Sequence, residues 1–221
     1  DYYVEFSGAR FDCLDKGFAP NEKVDVVIRP EDIDIVDVKD GKMTGYNTDC
    51  IGFIRSLEKG GLSLSGKVLL LGCGGVGRMM ACEFLLHGVE LTVAVLPEEI
   101  PAAEKVIADM KNSENAKVVS LSDISGEFDL CANATPVGMF PKVENMPCDE
   151  NLLENVKFVF DVVYNPRDTL LVKTAEKHGI KAMSGMAMLV LQAVAAHEIW
   201  NGSVFEESDI KQLISDMEAL V

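Results

Sequence analysis

Residues 68 to 78 read VLLLGCGGVGR, and the reading of this stretch decides the fold. Its first four residues are an unbroken apolar run, the mark of a strand buried on both faces. Gly72, Gly74 and Gly77 follow at the spacing G-x-G-x-x-G, with helix-forming residues behind them. At a junction of strand and helix that spacing has a physical meaning. The first glycine permits the tight turn, the second lets backbone approach a pyrophosphate, and the third lets the helix pack closely on the strand. The helix N-terminus adds free N–H groups and the positive end of its dipole. A glycine-rich turn that serves packing alone is the plainer alternative.

Working outward, the same alternation continues on both sides. Upstream, DCIGFIRSLEKG reads as a helix closed by Gly60-Gly61, and KVLLLG as the buried strand. Downstream, VGRMMACEFLLHG is a helix ended by Gly88 and ELTVAVL the next strand. A helix over PAAEKVIADMKN, strands at AKVVSL, FDLCANAT and VKFVFDVV, and a helix from about Thr169 to His178 follow. GMAMLVLQAVAAHEIWNG is a long, mostly apolar helix and EESDIKQLISDMEALV an amphipathic one. Strands alternating with helices predict an α/β protein: a Rossmann-like, doubly wound parallel sheet covered on both faces. Residues 1–45 differ. YYVEF, ARFDCL, VDVVIRP and DIDIVDV are short β-branched or aromatic runs punctuated by Gly8, Gly17, Pro20-Asn21 and Pro30. The expected division is a small β-rich N-terminal segment over 1–45 and a dinucleotide-binding domain over 46–221.

Composition excludes several classes. Hydrophobic residues make up 48% and charged residues 25% of the 221, which is globular and not disordered. A net charge of −16 repels phosphate backbones and anionic membranes, so neither nucleic acid nor membrane is an expected partner. A small anionic ligand needs a locally built site. The six cysteines are scattered without C-x-x-C or metal-ligand spacing, and a reduced cytoplasm fits them. His87, His178 and His197 form no metal-binding pattern either, so no metal is expected. No apolar run is of membrane-spanning length. The chain starts DYYVEF, without Met, and reads as trimmed or engineered there. GGLSLSGKV nearly spells a P-loop through Gly61, Gly66 and Lys67, but Val68 stands where a Mg²⁺-binding Ser or Thr is required, and the segment precedes its strand.

Three strand exits in succession, the glycine loop being the first, carry candidate chemistry. NATPVGM (Asn133 to Met139) and DVVYNP (Asp161 to Pro166) follow strands and break into loops at the carboxyl edge, where open α/β sheets bind ligands. GYNTDCIGF places Asn47, Thr48 and Asp49 just before a helix. All three are preferred N-cap residues, so capping alone accounts for them as well as catalysis does.

GYNTD, GCGGVGR, NATPVGM, DVVYNP and GMAMLVLQA, in this order over about residues 45 to 205, resemble the C-terminal two-thirds of shikimate dehydrogenase. That family reversibly reduces 3-dehydroshikimate to shikimate with NADPH. The resemblance implies that Asp49 is the acidic member of a catalytic Lys–Asp pair and that Asn47 and Thr48 shape the substrate pocket. It further implies that Gly72, Gly74 and Gly75, with Gly77, cradle the pyrophosphate. Thr135 and Met188 would line the cofactor, and Tyr164 and Gln192 would point toward substrate hydroxyls. A small-molecule substrate, shikimate or 3-dehydroshikimate, is the partner expected, with homo-oligomerisation left open.

Two departures from that pattern bear on function. The family's substrate-binding half, with a Ser-x-Ser pair and an N-V-T-x-P-x-K loop, should precede GYNTD, and neither motif occurs in residues 1–45. The partner lysine is therefore unmatched, with Lys23, Lys39 and Lys42 as stand-ins. VEFSGARFDCLDKGFAPNEKVDVVIRPEDIDI instead resembles part of the regulatory β-barrel domain of polyamine-importing ABC transporter ATPases. A chain joining two unrelated pieces could bind a dinucleotide without turnover, and this is the alternative to an enzyme. Second, Val95-Leu96-Pro97 replaces the family's Asn-Arg-Thr, whose arginine binds the 2′-phosphate of NADP, and Glu98 and Glu99 follow. Acids about here hydrogen-bond the ribose of NAD; they also suit the start of a helix. NADP is the cofactor implied, with NAD open.

Overall fold

The computed structural model describes residues 3–6, 9–12, 35–39 and 42–221, with side chains from residue 46 onward. The N-terminal segment contributes two antiparallel pairs: β1 (Tyr3–Phe6) with β2 (Ala9–Asp12), and β3 (Ile35–Lys39) with β4 (Lys42–Tyr46). The run VDVVIRP lies outside the described residues.

The remaining chain alternates strands and helices except over residues 116–161, where three strands follow one another without an α-helix between them, as the sequence runs predict. In order come α1 (Thr48–Lys59), β5 (Lys67–Leu71), α2 (Gly75–Leu86), β6 (Glu90–Val95), α3 (Ile100–Ala108), β7 (Ala116–Ser120), β8 (Leu130–Asn133) and β9 (Phe158–Asp161). Then follow α4 (Leu170–Lys177), β10 (Lys181–Met183), α5 (Met186–Asn201) and α6 (Glu207–Glu218). The six strands β5 to β10 form one parallel sheet in the order β10-β9-β8-β5-β6-β7. The chain starts in the middle, winds one way through β6 and β7, then returns to β8 and winds the other way. The reversal lies between β5 and β8, and this is where such sheets open a crevice at their carboxyl ends.

The sheet is buried on both faces because each strand alternates its contacts. Val68 and Leu70 of β5, with Phe158 and Phe160 of β9, face a core shared with Phe53, Leu57, Met80, Phe84 and Ile107 from α1, α2 and α3. Leu69, Leu71, Cys131 and Val159 face the opposite core with Leu153, Leu171 and Ala175. Phe53 sits edge-on to both Phe84 and Phe160, with ring centroids 5.6 and 5.5 Å away. Helices α5 and α6 share a third cluster around Val190, Leu191, Val194, Ile210 and Ile214.

The structure differs from expectation at two elements. α3 stops at Ala108, four residues short of the apolar pattern, because Asn112 takes a left-handed conformation (φ 59°) and donates to the carbonyl of Leu85 at 2.9 Å. β10 was not legible in the sequence: three residues between two glycines are too few to show a period, and their pairing with β9 forms the strand. No helix among the described residues is long and apolar enough to cross a membrane.

Candidate active site

The glycine loop adopts the geometry its spacing predicts. Gly72 leaves β5 with φ +90°, a conformation open to glycine and strained for other residues. A Cβ on Gly77 would lie 2.6 Å from the carbonyl oxygen of Gly72, so α2 packs against the turn only because that side chain is absent. Gly74 is the N-cap of α2, makes no side-chain cap, and has nothing within 4 Å of where its Cβ would stand. Gly75 begins the helix. Thus a 12-residue helix presents its first-turn N–H groups and positive dipole end toward open space, beside a backbone without side chains. This arrangement fits the pyrophosphate of a dinucleotide.

The exits of β8 and β9 complete the edge. Gly72 approaches Thr135 so closely that a Cβ there would meet its Cγ2 at 2.7 Å. Thr135 is half-buried and donates its hydroxyl to Asn133 Oδ1 at 2.6 Å, while its backbone N–H donates to the same oxygen at 3.0 Å. Asn133 in turn donates from Nδ2 to Asp161 Oδ1 at 2.9 Å. Asp161 also accepts from the Val163 N–H at 3.0 Å and from the Thr169 hydroxyl at 2.7 Å. Thr169 caps α4 by accepting from the Val172 N–H. Asn133 and Asp161 are fully buried, at 0% exposure, so this chain of bonds fixes both loops from beneath. The residues were not singled out from sequence. The available signal was a polar side chain at the end of each apolar strand, at positions that the β8–β9 register pairs.

Burial pushes the Asp161 carboxyl up from 3.8 to about 6, against the lowering effect of its bonds from Thr169, Val163 and Asn133. Its folded value therefore lies above its unfolded one. The stability it contributes is fully present below pH 3.8 and is lost as pH rises through about 6. Replacing Asp161 by Asn removes the charge and keeps the shape. The stability of Asp161→Asn relative to the native chain should therefore improve by up to about 3 kcal/mol between pH 4 and pH 8. Urea denaturation across that range checks it, and a difference that stays constant with pH would disprove the assignment.

The third part of the edge is built by α1 and α5. The residues flanking their crossing show how tight it is: a Cβ on Gly52 would lie 2.7 Å from the Met188 carbonyl oxygen and 2.8 Å from the Gln192 nitrogen. Ion pairs Arg55–Glu198, at 2.8 Å, and Lys59–Glu207 extend the contact toward α6. At the other end of α1, Asn47 is the N-cap, accepting from the Cys50 N–H at 3.0 Å. The capping reading of this stretch thus belongs to Asn47; Asp49 stands in the first turn and Thr48 begins the helix, both half-buried. Gly185, which starts α5, donates its N–H to the Val163 carbonyl and ties this helix to the β9 exit. Tyr164, one residue on, is 42% exposed, and Gln192 is half-buried. Met188 is buried in the core with Phe53 and Phe160. Gly72, Thr135, Tyr164, Gln192 and Asp49 therefore stand on elements linked successively along the carboxyl edge.

Other features carry no comparable chemistry. Burial pushes Cys50 and Cys148 up to about 12, the first aided by a bond to Glu83, so neither thiol is an anionic nucleophile at neutral pH. Two concavities of about 740 and 520 Å³ open at the opposite edge, around Gly66, Lys67, Asp129 and Lys157. Charged groups there form pairs, Lys157 with Asp129 at 2.8 Å and Lys67 with Glu90 at 3.9 Å, and both concavities lie where the strands begin. The near P-loop falls there too, with Lys67 opening β5 instead of following it. Among the described residues no group of three or more His, Cys, Asp or Glu could hold a metal ion.

Comparison with known proteins agrees with this geometry. No family model matches the chain. A curated shikimate dehydrogenase (NADP(+)) from Caldanaerobacter subterraneus subsp. tengcongensis is 34% identical over 180 residues, covering 80% of this chain and 64% of that protein. The crystal structure of a Thermus thermophilus shikimate 5-dehydrogenase, in complex with NADP(H) and shikimate, superimposes with a TM-score of 0.70. It is 27% identical and is matched over 85% of this chain and 69% of that one. A quinate dehydrogenase from Corynebacterium glutamicum in complex with NAD gives a TM-score of 0.67 at 33% identity, over 83% and 65% of the two chains. The chain spans under two thirds of the length of the first curated relatives it matches.

Proposed function

The chain is homologous to the shikimate dehydrogenases, and from that premise we propose that it is an oxidoreductase interconverting shikimate and 3-dehydroshikimate with a nicotinamide dinucleotide. The observation that carries this reading is the uncapped α2 N-terminus beside Gly72 and Gly74, aligned along one sheet edge with the α1 turn that bears Asp49. The cofactor, when bound, supplies the hydride acceptor or donor. The chain's own residues do the rest. The α2 N–H groups hold the pyrophosphate, Thr135 is oriented by Asn133 at the β8 exit, and Tyr164 and Gln192 position substrate hydroxyls. Asp49 orients a substrate hydroxyl and exchanges its proton.

Residues 1–45 supply no match to the lysine motif that would complement Asp49. Shikimate oxidation by the 221-residue chain is therefore expected at least roughly a hundredfold below that of a full-length relative. Nicotinamide absorbance with shikimate tests this for the chain and for Asp49→Asn, in which residual turnover should fall further while dinucleotide affinity holds. Near-normal turnover that collapses in Asp49→Asn and in a Met replacement of Lys23, Lys39 or Lys42 would reveal a rebuilt catalytic pair. Dinucleotide binding with no turnover in any variant would replace the enzyme reading by that of a binding module. For residues 1–45 the support is sequence likeness alone: they resemble a transporter regulatory β-barrel, and the gene's upstream sequence tests whether two unrelated pieces meet there.

A further inference from the structure

The exit of β6 lies next to that of β5, and its chemistry bears on which dinucleotide the glycine loop takes. Val95 is buried, Leu96 is 47% exposed, and Pro97–Glu99 form a single tight turn leading into α3. An anion arriving here meets few donors. Pro97 has no N–H, the Leu96 N–H is taken by Glu99 Oε2 at 3.2 Å, and the Glu99 N–H by the Leu96 carbonyl at 2.9 Å. What the exit offers instead is carboxylate, from exposed Glu98 and from Glu99, the latter held against the strand end by its bond to Leu96. The glycine loop lies within electrostatic reach of that charge. The Cys73 thiol, raised chiefly by burial, is pulled down by the Arg78 guanidinium and pushed up by the Glu99 carboxylate. Arg78 is the countervailing cation; its Nε donates to the Cys73 carbonyl at 3.2 Å.

We propose that Glu99 makes this site select the dinucleotide whose adenosine ribose carries a free 2′-hydroxyl, NAD(H), over the 2′-phosphorylated NADP(H). The inference rests on the reading of the glycine loop as a dinucleotide site. A carboxylate fixed at the end of the second strand accepts a hydrogen bond from the ribose hydroxyl and repels a phosphate at the same point. The bond from Leu96 occupies one oxygen of Glu99 and leaves the other for the ribose. Leu96 puts apolar surface, and no cation, at this exit.

Calorimetry with NAD⁺ and NADP⁺ on the full chain, Glu99→Gln and Arg78→Gln tests the proposal. Gln keeps an amide oxygen for the Leu96 N–H, so the variant removes charge and spares the turn. The native chain should bind NAD⁺ at least roughly tenfold more tightly, and Glu99→Gln should narrow that ratio, mainly through a gain for NADP⁺. Tighter binding of NADP⁺ by the native chain, lost in Arg78→Gln, would overturn the proposal and give Arg78 the phosphate. A ratio unchanged in Glu99→Gln would remove Glu99 from the selection. A folded native chain that binds neither nucleotide would sink the dinucleotide reading itself, a result distinct from the other two.

Discussion

Replacing Gly74 by Asp abolishes dinucleotide binding and leaves the protein folded. The two halves of this expectation come from the same position. Gly74 has φ −73° and ψ −163°, an extended conformation that any residue adopts, and no atom lies within 4 Å of its missing Cβ. Asp is among the best N-cap residues, so its carboxylate would accept the very N–H groups that α2 leaves without a side-chain cap. The helix gains a cap worth roughly a few tenths of a kcal/mol over glycine. The pyrophosphate loses its donors and meets a fixed negative charge in their place. Loss of charge-assisted contacts worth about 3 kcal/mol corresponds to at least roughly a hundredfold weaker binding. Calorimetry measures the affinity and a thermal melt the fold. Unchanged affinity in a folded Gly74→Asp chain would remove the cofactor role from this loop.

Gly185→Ala is expected to destabilise the fold by about 3 kcal/mol, near the upper end for overpacking. The added methyl would stand 2.0 Å from the Val162 carbonyl oxygen and 2.6 Å from its carbon. Neither is the flexible end of a side chain. The Val162 N–H is bonded to the Asn133 carbonyl at 3.0 Å, and Gly185 itself donates to the Val163 carbonyl at 3.0 Å, so both backbones are tied where they would have to part. Gly185 has φ −72° and ψ −4°, an ordinary helical conformation, and the cost is therefore steric. Gly74→Ala is the control: the same methyl in open space, costing about 1 kcal/mol or less, and only because Ala is a poorer N-cap than Gly. Urea denaturation of the pair separates the cases. Equal stabilities would mean that the β9 exit yields freely and that α5 is not held by it.

How far these features could be seen in the sequence depends on how local their physics is. The roles of Gly72, Gly74 and Gly77 follow from a turn six residues long, and the strand before it is apolar throughout. The parallel sheet follows from the alternation of strands and helices, since parallel strands need crossover connections, whereas the reversal of strand order at β5 is set by pairing between strands distant in sequence. Asn47 and Asp49 were harder, because both suit a helix start; only geometry assigns the cap to Asn47. Asn133 and Asp161 were beyond reach: they lie 28 residues apart and become partners through the register of two neighbouring strands. Gly52 and Gly185 look like any isolated glycine until the second backbone beside each is known. Glu99 combines both cases, a helix-start acid by sequence whose bond to Leu96 also anchors a charge at the crevice.

The packing of α1 against α5 has a consequence for the order in which this chain can become a protein. Arg55 and Glu198, which meet across that contact, are separated by 143 residues. On a ribosome, α1 emerges long before its partner exists, and Phe53 can find Phe84 and then Phe160 while the groove beside Gly52 stays vacant. The sheet can therefore be laid down progressively, but the seam that carries Asp49 beside α5 closes only after α5 itself has been made. Closure of this seam is in this sense a checkpoint on the synthesis of α5: a nascent polypeptide released before α5 would have its glycine loop and none of the seam.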